Sequence, residues 1–266
     1  MAIPKVIHYC WYGNGAYSDE MNKCLMSWSR YCPNYEIIRW DESNTNLEEN
    51  TFVKQAYQSG MYAFVADYVR LKVLYLYGGI YMDTDVELVR SLDDLLGNTA
   101  FSGFESDSTV QTGLIASTAR TPVFRNLLQY YEKRHFIARN GQMDTTTNVT
   151  IMTAYFQQNG LQPNNQQQTI CGIVFYPKDW FCPKDWETRI VNITKNTYAI
   201  HHFKESWRTK AEKNHTILQG KLAKKYGKTV GKLISYFPYA VDIFRENSIK
   251  QGVRFIFHKV KKKLSS

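Results

Sequence analysis

Apolar residues recur with two different periods along the chain, and the changes of period mark its first elements. IPKVIHYCWYG predicts an opening β-strand, with Ile3, Val6 and Ile7 apolar and Gly13 and Gly15 ending it. Residues 18 to 30 predict a helix, and YEIIRWDES predicts a second strand running into a polar turn over Asp41 to Asn46. Strand, helix and strand at this spacing argue for a βαβ unit and a parallel sheet. MYAFVADYVRLKVLYLYGG is the clearest helix: Ala66, Val69, Val73 and Leu76 recur at steps of three and four, and Gly78 stands where a left-handed C-terminal cap would sit. Asp67 and Arg70, three apart, share one face of it. IYMD then reads as a strand, whose period of two sets Asp83 and Asp85 on one side, with Cα atoms about 7 Å apart in an extended chain.

Further along, TAFSGFES and TGLIAST predict short strands, PVFRNLLQYYEKR a helix beginning at Pro122, and VTIMTAYFQQNG another helix closed by Gly160. QPNNQQQT reads as a polar connection leading to strand-like CGIVFYP and TYAIHHFKESW, and from about residue 208 the text turns to basic helices. The expected division is therefore 1–210 for an α/β domain and 211–266 for a basic, aromatic, helical appendage.

Charge sharpens that division. Residues 221 to 266 carry 12 Lys and Arg against Asp242 and Glu246, a net of +10, whereas the first 220 residues sum to −1. Interleaved with Tyr236, Phe237, Tyr239, Phe244, Phe255 and Phe257, these cations suit an anionic membrane surface; a solvated basic face with its rings folded inward is the alternative. Nucleic acid is not expected as a partner, because no recognised module is present and the larger part is not basic. The five cysteines show no metal-knot or paired spacing, which suits reduced thiols. MAIPKVIHYCWYG lacks the features of a signal peptide and no long apolar run follows, so the expectation is a cytoplasmic protein, peripheral at the inner face of the cell membrane.

The chemistry centres on YLYGGIYMDTDVEL. Two carboxylates aimed at one point repel unless a cation relieves them. Hard divalent ions such as Mn²⁺ and Mg²⁺ take one or two protein carboxylates and complete their shell with water and phosphate oxygens. A D-x-D at a strand end thus suits a metal bridging protein and diphosphate, since ligands of open α/β sheets bind beyond the carboxyl ends of strands.

FVADYVRLKVLYLYGGIYMDTDVEL, with IPKVIHYCWYG before it and YAIHHFKESW after it, resembles glycosyltransferase family 32, over roughly residues 1 to 210. The resemblance implies a GT-A nucleotide-sugar transferase fold, a Rossmann-like mixed sheet flanked by helices, together with Mn²⁺ or Mg²⁺ and transfer with retention. It implies that Trp11 stacks on the nucleotide base, that Asp67 and Arg70 hold ribose or base and donor sugar, and that Asp83 and Asp85 are the D-x-D pair. Asp85 would be the direct metal ligand, and Asp83 would bridge to ribose or water. His201, preferred to His202, would join Ser206 and Trp207 over the diphosphate, with the imidazole among the metal ligands. A nucleotide sugar, UDP-linked by preference, would donate a hexose to a glycan or lipid-linked oligosaccharide in bacterial capsule or cell-surface polysaccharide synthesis. The chain departs from the family's pattern at MDTTTNVT, where many members carry Gly-Pro, and Glu105, Asp107 and Gln111 are matched to donor-sugar contacts only by their order.

Bland readings stand beside these: Trp11 as a packed core residue, Asp67 and Arg70 as an exposed helix pair worth a few tenths of a kcal/mol, and Trp207 as packing beneath the sheet. An aspartyl phosphohydrolase wants Thr or Val where Glu87 stands. A glycoside hydrolase needs its two carboxylates across a cleft. A non-catalytic sugar-binding or membrane-tethered protein has no need of the aspartate pair.

Overall fold

A computed structural model describes residues 2–186, 188–204, 210–227, 230–231, 234–236, 238–239 and 241. They fall into two units, Met1–Lys184 with Asn192–Lys204, and Asp185–Val191 with Glu205–Ser266. The first unit runs β1 (Val6–Cys10), α1 (Asp19–Tyr31), β2 (Glu36–Trp40), α2 (Thr51–Gln58), α3 (Tyr62–Tyr77), β3 (Gly79–Met82), β4 (Val86–Leu88), β5 (Ala100–Gly103), β6 (Leu114–Ser117), α4 (Pro122–Glu132), α5 (Asn148–Gln158), β7 (Gln168–Ile170), β8 (Ile173–Tyr176) and β9 (Ala199–His201). The second holds α6 (Lys210–Tyr226).

Seven strands form one mixed sheet in the order β2-β1-β3-β6-β5-β8-β7, and β4 and β9 form a separate antiparallel pair. β1 lies parallel to β2 and β3, β6 runs antiparallel to β3 and β5, and β5 lies parallel to β8. The βαβ unit expected at the start is present. α1 begins at Ser18, whose hydroxyl accepts the Met21 amide, and Asp19 and Glu20 occupy its first turn, where the helix dipole favours negative charge.

α3 differs from the amphipathic helix its sequence suggests. Phe64, Val65, Ala66, Val69, Leu71, Val73 and Leu74 are all buried, so the helix is enclosed nearly all round, and Leu76 of the expected core face is only partly covered. It packs against α2, α4 and the sheet. A one-stripe pattern fails here because a helix enclosed on most faces needs no polar side. Gly78 ends it, but with φ 67° and ψ −158° rather than in the left-handed helical region. A side chain there is excluded twice over, since a Cβ would stand 2.6 Å from the Ala119 nitrogen and 2.8 Å from the Ser117 oxygen. That tight reversal lets α3 run back along β3, so the first turns of α3 and the carboxyl end of β3 meet.

His8 of β1 holds the reversal from below. Its Nε2–H donates to the Gly78 carbonyl at 2.9 Å while Trp40 Nε1 donates to Nδ1 at 3.1 Å, which fixes one neutral tautomer. Burial pushes its pKa from 6.5 down to about 4, against the opposing effect of the Gly78 bond. The unfolded chain therefore binds this proton more readily than the folded one. The contribution is fully present above pH 6.5 and is lost as pH falls through 4, on the order of 3 kcal/mol in all. His8→Gln should lack this part of the acid slope in urea unfolding between pH 6.5 and 4; an unaltered slope would refute the assignment.

α2, β4 and β7 were not expected from the sequence. α2 starts at Asn50, whose side chain accepts the Phe52 and Val53 amides, and β7 arises within the stretch read as a polar connection. The cysteines are all unpaired, as expected, with Cys10, Cys24, Cys32 and Cys182 buried. Phe237, Phe244, Phe255 and Phe257 lie outside the described residues. Among the described residues no helix is long and apolar enough to cross a membrane.

Candidate active site

β1 and β3 are parallel neighbours, so Trp11 after β1 and Asp83 after β3 emerge at the same edge of the sheet. The chain does not stay extended through Asp83 and Asp85 as the sequence suggests. It turns, with the Val86 amide donating to the Asp83 carbonyl at 3.0 Å and the Asp83 amide donating to Gly113 at 2.8 Å. The turn, more than strand alternation, brings both carboxylates to one place.

β9 delivers the third member. Val86 pairs with His201 across the small sheet, and His201 Nε2 lies 3.4 Å from Asp85 Oδ1. One ligand atom each from Asp83, Asp85 and His201 lie within 4.8 Å of one another, the one such cluster among the described residues. Burial disfavours charge on both Asp85 and His201, but their mutual attraction outweighs it: the Asp85 carboxyl is held well below the usual range, and the imidazole pKa rises well above 6.5. The Lys204 amide, donating to Asp85 Oδ2 at 2.7 Å, adds to the first effect. His202 points elsewhere, its Nε2 against Glu87 Oε2 at 2.8 Å. The two adjacent histidines thus divide as strand alternation predicts, and His201 faces the cluster.

Behind Asp83 stands a buried network. Arg70 NH2 meets Asp67 Oδ1 at 2.9 Å and Asp83 Oδ1 at 3.3 Å, while NH1 reaches Asp83 Oδ2 at 3.3 Å and donates to the Thr112 carbonyl at 2.7 Å. The side chains of Arg70 and Asp67 are 5% and 12% exposed, which rules out the exposed-pair reading. Burial raises the Asp67 pKa to about 6, with the Asp83 charge adding to it and Arg70 and the Asn148 amide opposing it. Tyr81 donates to Asp83 Oδ1 at 2.9 Å, and the Arg70 guanidinium lies 4.7 Å from the centre of its ring. Asn148, at the start of α5, donates its amide to Asp67 Oδ2 at 3.1 Å and its side chain to the Asp67 carbonyl at 3.0 Å.

Trp11 is partly exposed, its Nε1 donating to Gly15 at 2.8 Å and its ring edge-on to Tyr17 at 5.2 Å, so it is not a sealed core residue. Ser206 and Trp207 lie outside the described residues. Gln111 is buried with both ends of its amide committed to Leu114, which gives it a role in shaping the start of β6 in place of the sugar contact suggested by its order in the chain. Asp107 is exposed and pairs with Lys178.

The donor set fits a divalent cation. Two carboxylates and an imidazole converge, with Arg70 on the far side of Asp83 and an imidazole that would give up its proton to coordinate; His201 Nδ1 is buried without a hydrogen-bond partner of ordinary length, although the Cys182 thiol neighbours the ring. Gly113 leaves the approach open: a Cβ there would stand 3.0 Å from His201 Cε1 and 3.2 Å from Asp83 Oδ2.

Tyr81, Gly113 and Asn148 went unnoticed in the sequence. Tyr81 had a signal, two residues before Asp83 on one strand face. Gly113 and Asn148 are brought in by pairings 30 and more residues away along the chain.

Residues 18–102, which include this D-x-D, match the family described as "Glycosyltransferase sugar-binding region containing DXD motif". The chain is 33% identical over 147 residues to an inositol phosphoceramide mannosyltransferase of Schizosaccharomyces pombe, covering 51% of this chain and 40% of that one. It is 30% identical over 169 residues to a mannosyl phosphorylinositol ceramide synthase of Saccharomyces cerevisiae, covering 58% and 43%. The chain thus spans about two fifths of the length of these curated relatives. Among solved structures, the PaToxG glycosyltransferase overlays on 60% of this chain and 71% of its own, with a TM-score of 0.44 and 18% identity. The D-x-D thus stands at the carboxyl end of β3, in a mixed sheet between helices, and the segment around it is similar to the sugar-binding region of DXD-containing glycosyltransferases.

Proposed function

We propose that the chain transfers a hexose, with retention, from a nucleotide sugar to a glycan acceptor, and that it does so with a divalent cation held by Asp83, Asp85 and His201. The observation that carries this reading is the meeting of those three groups at the edge of the sheet where Trp11 also emerges. The cation, Mn²⁺ in preference to Mg²⁺ because one donor is an imidazole, would act as a Lewis acid on the diphosphate leaving group. Asp85, kept ionised by His201 and the Lys204 amide, supplies a permanent anionic ligand. Arg70 orients Asp83 through paired contacts at 3.3 Å, and Asp67 keeps Arg70 in place. Trp11 offers its ring to the base; the expected roles of Ser206 and Trp207 at the diphosphate fall outside the described residues.

A UDP-sugar is the donor we favour. The relatives' names speak of mannosyl transfer, which makes GDP-mannose the donor to test beside it. Calorimetric titration of UDP and GDP, each with and without Mn²⁺, should show one nucleotide bound in a Mn²⁺-dependent way. Absence of binding by both would overturn the reading.

The acceptor we infer is lipid-linked, in assembly of a cell-surface polysaccharide, with the protein peripheral at an anionic membrane. Among the described residues, nine of the fifteen exposed large hydrophobic side chains belong to the smaller second unit, including Ile217, Ile234 and Tyr236, and this unit carries the chain's excess of basic residues. Exposed apolar groups set among cations are the composition of an interfacial surface. The full chain should sediment with vesicles containing phosphatidylserine and much less with phosphatidylcholine alone. Equal recovery with both would sink the membrane assignment.

A further inference from the structure

α1 carries no reacting group, yet it holds β4, which follows Asp85, and the end of β9, which carries His201. Trp28 Nε1 donates to the Val86 carbonyl at 2.7 Å, and Ser27 Oγ accepts the Leu88 amide at 2.8 Å, which fixes β4 along its length. The first turn of α1 grips the end of β9. Lys204 Nζ pairs with Glu20 Oε2 at 3.1 Å and bonds the Ser18 hydroxyl, and His202, bonded to Glu87, has its Nδ1 3.9 Å from Glu20 Oε1. The backbone amides of these same two residues hold Asp85: His202 donates to its carbonyl at 2.9 Å and Lys204 to its carboxylate at 2.7 Å.

We propose that Glu20 is a positioning residue of the metal site: by clamping Lys204 and His202 to the start of α1, it keeps their amides on Asp85 and so keeps Asp85 and His201 at coordinating distance. This rests on the metal-dependent transferase reading. Partners of a metal ligand that orient it without touching the ion are worth tenfold or more in affinity. The Glu20 and Lys204 side chains are 44% and 38% exposed, so their pairing adds little to global stability. Its consequence should be local. The clamp is also a matched pair of opposite charges, which makes exchange of those charges a clean test.

The variants are E20K, K204E and E20K/K204E in the full chain, with E20Q as the milder change. In metal-free protein, amide exchange at His202 and Lys204 followed by NMR should quicken about tenfold in each single variant and return to within about twofold in the double, with Mn²⁺ affinity by calorimetry falling and recovering in parallel. A structural role alone would shift the unfolding midpoint and leave the Mn²⁺ affinity of the folded protein unchanged. Unchanged exchange in the single variants overturns the clamp. Faster exchange with unchanged Mn²⁺ affinity overturns its role in positioning the site. Should the unsubstituted protein take up no Mn²⁺, the metal reading fails, while exchange in the metal-free variants still decides the clamp.

Discussion

Asp85→Asn should lower nucleotide-sugar turnover about 10²- to 10³-fold, the loss expected when one preorganised electrostatic partner of a leaving group is removed. The substitution keeps the shape of the side chain and one oxygen for the Lys204 amide, which now lies 2.7 Å from Asp85 Oδ2, so the fold should survive. What disappears is the charge. Asp85 is the ligand whose ionisation is most secured, by His201 across the small sheet and by the backbone beyond it. The same change removes the group that lifts the His201 pKa, so this imidazole should titrate closer to neutrality in the variant. Initial rates across a Mn²⁺ series, with the circular-dichroism spectrum as a control for folding, decide the matter. A variant with full activity at ordinary Mn²⁺ would remove Asp85 from the metal site.

The site was partly legible in the sequence because its acidic half is local. Asp67, Arg70, Asp83 and Asp85 lie within 19 positions, and the helix, Gly-Gly, strand succession that joins them is written in apolar spacing. Strand alternation sets the adjacent His201 and His202 on opposite sides, and in the structure His201 meets Asp85 while His202 meets Glu87. What could not be read was whatever depends on distant pairing. That β9 lies against β4, that Gly113 lines the approach, and that the start of α5 holds Asp67 are outcomes of packing, which the period of one segment does not encode. The extended geometry expected for D-x-D failed for a related reason. The Val86 amide bonds back to the Asp83 carbonyl and closes a turn where the strand would otherwise continue. In α3 the one-stripe pattern gave way to burial on most faces, and Asp67 and Arg70, for which an exposed pair was the bland alternative, face each other and Asp83.

That inward-facing pair yields the largest expected effect on stability. Arg70→Met keeps much of the side-chain volume and removes the only guanidinium that meets both Asp67 and Asp83 among the described residues. It leaves two carboxylates near each other in a buried setting, one of them held by the Asn148 amide and the other by the Tyr81 hydroxyl. Breaking a buried ion pair from one side costs about 3–5 kcal/mol, because the remaining charge keeps its desolvation penalty and loses its partner. Part of that loss should depend on pH. Even with Arg70 present, burial raises the Asp67 pKa to about 6, so the folded state holds a proton there that the unfolded chain gives up. The stability this confers is fully present below about pH 4 and is lost as pH rises through 6, a window that moves upward once Arg70 is gone. The deficit of Arg70→Met should therefore be largest at pH 8 and shrink toward pH 5. Adding Asp67→Asn removes one of the stranded charges and should recover a large share of the stability at pH 8, but not turnover, since Asp83 still lacks the group that orients it. Urea unfolding of the three proteins at pH 5 and 8, with initial rates beside it, separates the two roles. If Arg70→Met unfolds at the unsubstituted midpoint at pH 8, the network is not the buried ionic centre described here; if the double variant regains turnover, Arg70 has no part in placing Asp83.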